Sequence, residues 1–378
     1  MEMKITGEDA EGLDLVVPAY RVDVKRPCDV VEDILRIYGY NNVEIPTQLK
    51  SSLTVPDEQD REHKLTNLVG EQLVGCGFNE ILNNSMTKTS YYDKDELNAY
   101  SWATTAKVMN PLSADLGVMR QTLVFGGLES LARNINRKRS NLRFFELGNV
   151  YHYAPEKDDH DASIAAYSQD SHLALWLTGK RVEGSWAHPD EETSFYELKA
   201  YVENILRRVG VPAGLVVAGK SDNNLFSEAL TLKNRGGKVL CEYGKLAKKV
   251  CHACGVEKDV YYAEFNWSAV MKAIKKNKVE FKELSKFPAV SRDLALLIDA
   301  SVEFAQIEQI ARQSEKKLLK KVELFDVYQG KNLPAGKKSY AVNFILEDEE
   351  RTLNDKQIEA IMQKIIKNLT NKLGAELR

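Results

Sequence analysis

Apolar and polar positions follow two different periods along the chain. Near the start, Leu15-Val16-Val17-Pro18 reads as a short strand. After Pro27, apolar residues recur at Val31, Ile34, Leu35 and Tyr38, the i, i+3, i+4, i+7 spacing of an amphipathic helix, which Gly39 closes. Helical patterns over Leu65–Val74, Leu128–Ile135 and Phe195–Val209 then alternate with β-rich runs over Phe144–Tyr153, Leu173–Thr178 and Val260–Phe265. This mixture predicts an α+β fold, closer to an antiparallel sheet with helices than to strict βαβ units. Beyond Pro288 the pattern is clearest. Leu294, Leu296 and Ile298 alternate as a strand, and Phe304, Ile307, Ile310 and Ala311 form a helical stripe. Two strands follow, Val322–Tyr328 and Tyr340–Leu346. Asn354, with Gln357 in the capping-box position, then opens a helix with Ile358, Ile361, Met362, Ile365 and Leu369 on one face. With a short strand after Gly374, the order β-α-β-β-α-β is the ferredoxin-like pattern.

Two polar stretches, Pro46 to Pro56 and the Lys-rich Lys272 to Lys286, read as linkers, so domains are expected over 1–48, 55–280 and 284–378. The first holds a single helix, too little to bury a core alone, and the chain is expected to begin inside a domain. The 378 residues, at ~150 per domain, agree with two or three domains. A balance of 52 basic against 55 acidic residues excludes a uniformly basic nucleic-acid coat but not a local RNA site. With 43% apolar residues a sizeable core can form, and no run approaches the ~18 apolar residues of a membrane span. No signal peptide is visible, and five cysteines are too few for a disulfide scaffold, so a reducing, cytoplasmic setting is expected.

Three constellations could carry chemistry. The first is Asp23, Asp29, Glu32 and Asp33, where the last three share one helical face and Asp23 ends the preceding segment. Four hard oxygen donors suit Mg²⁺. Asp29-x-x-Glu32 reads equally as a helix-capping box. The second is Cys251-x-x-Cys254, with His252 between them and Cys241 upstream. No second pair completes a zinc site, so it reads as incidental, as does the acidic loop Asp158-Asp159-His160-Asp161. The third lies in the terminal strands. Alternation places Phe325 and Val327 on one face and Leu324, Asp326 and Tyr328 on the other, with Ser339 expected beside the latter. A tyrosine flanked by a carboxylate and a hydroxyl can stack an unpaired base and read its edge. Lys316, Lys317, Lys320, Lys321, Lys331, Lys337 and Lys338 are candidate phosphate contacts. An ordinary solvated sheet face is the plainer reading. No P-loop, dinucleotide-binding glycine fingerprint or Gly-x-Ser-x-Gly elbow is present.

Several blocks resemble the beta subunits of bacterial phenylalanine–tRNA ligases. They are Val17-Pro18-Ala19-Tyr20-Arg21-Val22-Asp23 with Asp29-Val30-Val31-Glu32-Asp33-Ile34-Leu35-Arg36-Ile37-Tyr38-Gly39-Tyr40; Asn110-Pro111-Leu112-Ser113, Met119-Arg120, Gly126-Gly127-Leu128 and Phe144-Phe145-Glu146-Leu147-Gly148-Asn149-Val150-Tyr151; and Lys286-Phe287-Pro288-Ala289-Val290-Ser291-Arg292-Asp293 with Leu324-Phe325-Asp326-Val327-Tyr328-Gln329-Gly330. The match covers essentially the whole chain and implies the C-terminal half of such a subunit. It implies the end of a winged-helix-like module, then a catalytic-like domain of class II synthetase fold without an active site, then a ferredoxin-like anticodon-binding domain. Asp23, Asp29, Glu32 and Asp33 would be Mg²⁺ ligands, Asp33 standing where the family carries Glu, with the ion shared with the alpha subunit. Asp326, Tyr328 and Ser339 would meet the anticodon. Catalysis would reside in the alpha subunit of an assembly of two alpha and two beta chains that charges tRNA-Phe using ATP. The sequence agrees: Arg143-Phe144-Phe145-Glu146 has one residue too many for the second class II signature, and the third signature is not found. The competing readings are a stand-alone structured-RNA-binding protein and a metal-dependent hydrolase using the Asp23/Glu32 cluster.

Overall fold

The computed structural model describes residues 2–48, 57–93, 97, 100–158, 164–274, 281, 283–330 and 333–378. Most of the first expected linker and of the loop Asp158–Asp161, about half of the second linker, and the candidate contact Lys331 lie outside these residues. The chain forms two compact units, Met1–Asn277 and Lys278–Arg378.

The first unit opens with the hairpin β1 (Lys4–Glu8) and β2 (Leu13–Val16), then α1 (Pro27–Tyr38). There follow α2 (Glu58–Gly75), β3 (Asn79–Glu80), β4 (Met86–Thr87), β5 (Val118–Met119), α3 (Val124–Asn136), β6 (Leu142–Tyr153), β7 (Tyr167–Thr178), β8 (Lys180–Val182), β9 (Glu191–Glu192) and α4 (Phe195–Arg208). The unit ends with β10 (Val216–Lys220), β11 (Phe226–Asn234), β12 (Val239–Leu246), α5 (Lys248–Ala253), β13 (Val260–Asn266) and α6 (Trp267–Ile274). Seven strands make one sheet in the order β10-β11-β12-β13-β7-β6-β3. Every neighbouring pair is antiparallel except β3 with β6, which the sequence pattern did not disclose.

The long central strands alternate two apolar faces, so both sides of the sheet are covered. Leu173, Leu175, Leu177 and Phe265 pack against α2, α4 and α6 through Leu73, Leu198, Val202 and Val270. Phe144, Ala174, Trp176 and Tyr262 pack on the other side against α3 and α5 through Val124, Leu128 and Val250. Gly127 of α3 lies so close to the Trp176 ring that a Cβ there would overlap it, which is why the helix can lie flat on the indole.

The second unit holds β14 (Val290–Asp299), α7 (Phe304–Ser314), β15 (Leu319–Tyr328), β16 (Lys337–Leu346), α8 (Asp355–Leu373) and β17 (Glu376–Leu377). Its sheet runs β15-β16-β14-β17, all antiparallel, the ferredoxin-like order. Ile307, Ile310, Ile358, Ile365 and Leu369 of the two helices pack on Leu296, Ile298, Val342 and Phe344 of one sheet face and leave the other face uncovered by helix. The predicted cap of α8 forms, with Gln357 N–H donating to Asn354 and Asn354 N–H to Gln357. No described helix is long and apolar enough to cross a membrane.

Candidate nucleic-acid interface

On the uncovered face of the terminal sheet, Tyr328 of β15 stands opposite Ser339 of β16, and Asp326 stands opposite Ala341. The three residues singled out from the sequence therefore share a face. One detail of the expected alternation is corrected. Leu324 pairs with Val342 and packs on the core side, so it is not beside Asp326, while Val327 pairs with Tyr340 but stays 49% exposed. The register shifts between Leu324 and Asp326, leaving Phe325 as an extra residue whose ring is 60% exposed. A bulge resets the two-residue period and cannot be read from alternation. Asp326 is exposed, Tyr328 is 38% exposed and Ser339 is buried at the floor. The cationic surround is less free than expected. Lys320 pairs with Glu349 at 2.8 Å, Lys321 with Glu323 at 2.5 Å and Lys337 with Glu376 at 2.7 Å. Lys338 is buried, its ammonium 4.7 Å from the centre of the Tyr340 ring.

The acidic constellation near α1 does not converge on a point. Arg26 is the N-cap of α1 and Asp29 its N3 residue, so the capping box joins Arg26 to Asp29, not Asp29 to Glu32. Asp29 Oδ2 accepts the N–H groups of Lys25 and Arg26 at 2.9 and 2.8 Å, and Oδ1 accepts Arg26 Nη2 at 3.0 Å. The Arg26 guanidinium and these two amides hold its carboxyl far below the ordinary 3.8. Arg21, which sequence reasoning passed over, bridges the next two acids: its Nη2 lies 2.9 Å from Asp23 and 2.7 Å from Asp33. That hydrogen bond lowers the Asp23 carboxyl. Glu32 is exposed. Three of the four carboxylates thus already hold a cation, and no group of three or more His, Cys, Asp or Glu among the described residues is placed to hold a metal ion. As arranged, the set does not fit Mg²⁺. The apolar stripe of α1 is exposed, with Val31 at 52% and Tyr38 at 58%, and the buried residue of the helix is Asp33.

A third feature escaped the sequence reading. Cross-strand register lines up Glu146, Ala174, Glu264, Glu242 and Thr231 in one row over five strands, on the α3 side of the large sheet. Each glutamate follows two apolar residues and precedes a third, as in Phe144-Phe145-Glu146-Leu147, and that interruption of a buried strand was the available signal. Each is closed by its own donors. Glu146 accepts Arg120 Nη1 at 2.7 Å and Asn83 Nδ2 at 2.6 Å. Glu264 accepts His172 Nδ1–H at 2.7 Å and the hydroxyls of Thr122 and Tyr262, both at 2.6 Å. Burial pushes Glu264 toward its neutral form, but these bonds more than offset it and keep the carboxyl below the ordinary 4.5. Glu242 accepts Ser221 Oγ, Asn223 Nδ2 and Thr231 Oγ1 at 2.8–3.0 Å. A cavity of about 330 Å³ lies beside the row, lined in part by Asn83, Arg120, Thr122 and Glu129, and there Glu129 is already paired with Lys88 at 2.8 Å. Arg143 and Glu146, three apart in one strand, fall on opposite faces, Arg143 reaching Glu197 at 3.1 Å on the α4 side, so they cannot act together. Cys251 and Cys254 pack into the α5-side core, where burial pushes their thiols up to about 11 and about 12, while Cys241 is buried on the opposite side of the sheet.

Comparison with known families places this geometry. The family described as "Phenylalanyl tRNA synthetase beta chain CLM domain" matches residues 45–267, more than half of the chain. The chain belongs to the phenylalanyl-tRNA synthetase beta chain family. Within it, residues 1–40 match "tRNA synthetase B5 domain" and 285–378 match "Ferredoxin-fold anticodon binding domain". Phenylalanine–tRNA ligase beta subunits from Bacteroides fragilis, Bacteroides thetaiotaomicron and Porphyromonas gingivalis are 61%, 59% and 50% identical to it. Each alignment takes in 100% of the chain and 46% of the relative, so the chain spans about half the length of these curated relatives.

Proposed function

We propose that this chain is the tRNA-holding and partner-docking portion of a phenylalanine–tRNA ligase beta subunit. It works with an alpha subunit, in an assembly of two alpha and two beta chains that joins phenylalanine to tRNA-Phe through an ATP-derived adenylate. The observation that carries the reading is the placement of Asp326, Tyr328 and Ser339 on one helix-free face of a ferredoxin-like sheet. The Tyr328 ring offers a stacking surface to an unpaired base, Asp326 accepts from the base edge, and the Ser339 hydroxyl adds a donor or acceptor at the floor.

The chain's share is binding rather than bond-making. In the large sheet the side chains that could move a proton, Glu146, Glu264 and Glu242, each accept two or more hydrogen bonds from within the fold. Adenylate formation belongs to the alpha subunit in this reading. A magnesium ion at Asp23, Asp29, Glu32 and Asp33 would require Arg21 to leave two of them.

Mixing the chain with the cognate alpha subunit and tRNA-Phe, and measuring mass by size-exclusion light scattering, tests the proposal. A complex containing all three is expected. RNA binding with no association with the alpha subunit would favour a stand-alone RNA-binding protein, and the absence of both associations would refute the proposal.

A further inference from the structure

The uncovered face of the terminal sheet has a second side chain aimed at the Tyr328 ring. Glu376 and Leu377 of β17 pair with Leu297 and Leu296 of β14, and Arg378 N–H donates to Ala295 O at 3.0 Å, continuing the ladder by one residue. Register then fixes two adjacent rows across the face. One runs Arg378, Ala295, Ala341, Asp326, and the other Glu376, Leu297, Ser339, Tyr328. At ~4.8 Å per strand gap, the outer strands are ~14 Å apart. The middle of the first row is two alanines, and in the second row Ser339 lies next to Tyr328 with Leu297 beyond it, so the floor is low along the first row and beside the Tyr328 ring. Tyr328 enters this trough from β15 and Arg378 from beyond β17. They meet with the guanidinium carbon 5.6 Å from the ring centre. That is a cation–π approach, wider than a contact stack of ~3.5–4 Å.

We infer that Arg378 is the second jaw of a base-binding slot whose first jaw is Tyr328. A base held between a ring and a guanidinium plane needs ~7 Å, two contact distances, so an outward swing of the flexible arginine by ~1–2 Å admits it. In the free chain the guanidinium covers the ring face. With RNA bound, an unpaired base lies between the two planes, and Asp326, at the far end of the arginine's own row, meets the base edge. The ligand class is a single-stranded RNA base. The inference rests on the proposed tRNA-holding role.

The test is fluorescence anisotropy of the full 378-residue chain with an anticodon stem-loop of tRNA-Phe, at several salt concentrations, for wild type, Tyr328→Ala, Arg378→Ala and Arg378→Lys. Loss of a stacking partner predicts about tenfold weaker binding for Arg378→Ala. Arg378→Lys, which keeps the charge but not the plane, should recover only part of it, and the thermal unfolding midpoint should not move. Binding equal to wild type in Arg378→Ala, with Tyr328→Ala weakened, overturns the slot and leaves the tRNA-holding role standing. Full recovery in Arg378→Lys also overturns it, because a point charge would then suffice. A wild-type chain that does not bind the stem-loop overturns the underlying role and the slot with it.

Discussion

Tyr328 and Ser339 face each other across β15 and β16, three residues beyond the bulge at Phe325. The pairing sets a stacking surface beside a hydroxyl floor. Tyr328→Ala is expected to weaken tRNA-Phe binding by ~1–3 kcal/mol, the usual worth of one base–aromatic stack. Tyr328→Phe keeps the ring and should stay close to wild type. Filter binding at fixed salt would check both, and a Phe variant as weak as the Ala variant would mean that the hydroxyl, not the ring, carries the contact.

Asp326 stands two residues before Tyr328 in β15, opposite Ala341. Its carboxylate accepts and cannot donate, so it favours bases that present N–H groups. Asp326→Ala should therefore flatten the preference among stem-loops differing in one anticodon base, by ~1–3 kcal/mol for the favoured one. Competition binding with four single-base variants reads this directly. An unchanged ranking would remove Asp326 from base reading.

The carboxylate row of the large sheet makes a stability prediction. Glu264→Ala leaves His172, Thr122 and Tyr262 without their common acceptor. Removing one partner from such a buried set costs ~3–5 kcal/mol. Gly127→Ala, which drives a methyl into the Trp176 ring, should cost ~1–3 kcal/mol by overpacking. Urea midpoints would register both. Stem-loop binding should not change in either folded variant, since the terminal unit has its own core.

Around α1 the prediction concerns acid. Asp23 and Asp29 carry carboxyls held below their ordinary 3.8 by Arg21 and Arg26. A depressed folded-state value means the stabilisation is fully present above that ordinary value and fades as pH falls through the lower one. Hydrogen exchange of the α1 amides should accordingly be steady at neutral pH and quicken, beyond the intrinsic trend, below about pH 4. Arg21→Ala should make Asp23 more responsive in ordinary acid. The same variant leaves Asp23 and Asp33 side by side without their shared cation, so calorimetric titration with Mg²⁺ should show a site in Arg21→Ala that wild type lacks. A one-to-one Mg²⁺ site in the wild-type chain would contradict this arrangement.

The elements of the terminal domain were legible because their apolar spacing is regular over whole strands and helices. Ile358 to Leu369 and Leu294 to Ile298 mark their faces without help from distant residues. Asp326 and Tyr328 were assigned to one face correctly, but Leu324 was not, because one inserted residue between them breaks the count. The acidic group near α1 showed its composition in the sequence and hid its geometry. Helical spacing brings carboxylates near one another but does not reveal that Arg21, twelve residues before Asp33, turns back onto them. The Glu146–Glu264–Glu242 row depends on pairing between β7 and β13, 90 residues apart at Ala174 and Glu264, and on donors such as Thr122 and Asn83 from outside those strands. Only the lone glutamate within each apolar strand gave it away.

The irregularity of β15 also bears on how its outer edge resists strand addition. β15 is an outer strand, and its register shifts twice, between Leu319 and Lys321 and again between Leu324 and Asp326. A straight outer strand presents an even row of amide and carbonyl groups that any extended peptide can extend into a further strand. Two dislocations within ten residues break that row into stretches too short to template a neighbour. The domain can expose Phe325, Val327 and Tyr328 to an aqueous partner without inviting a second copy to zip onto its border.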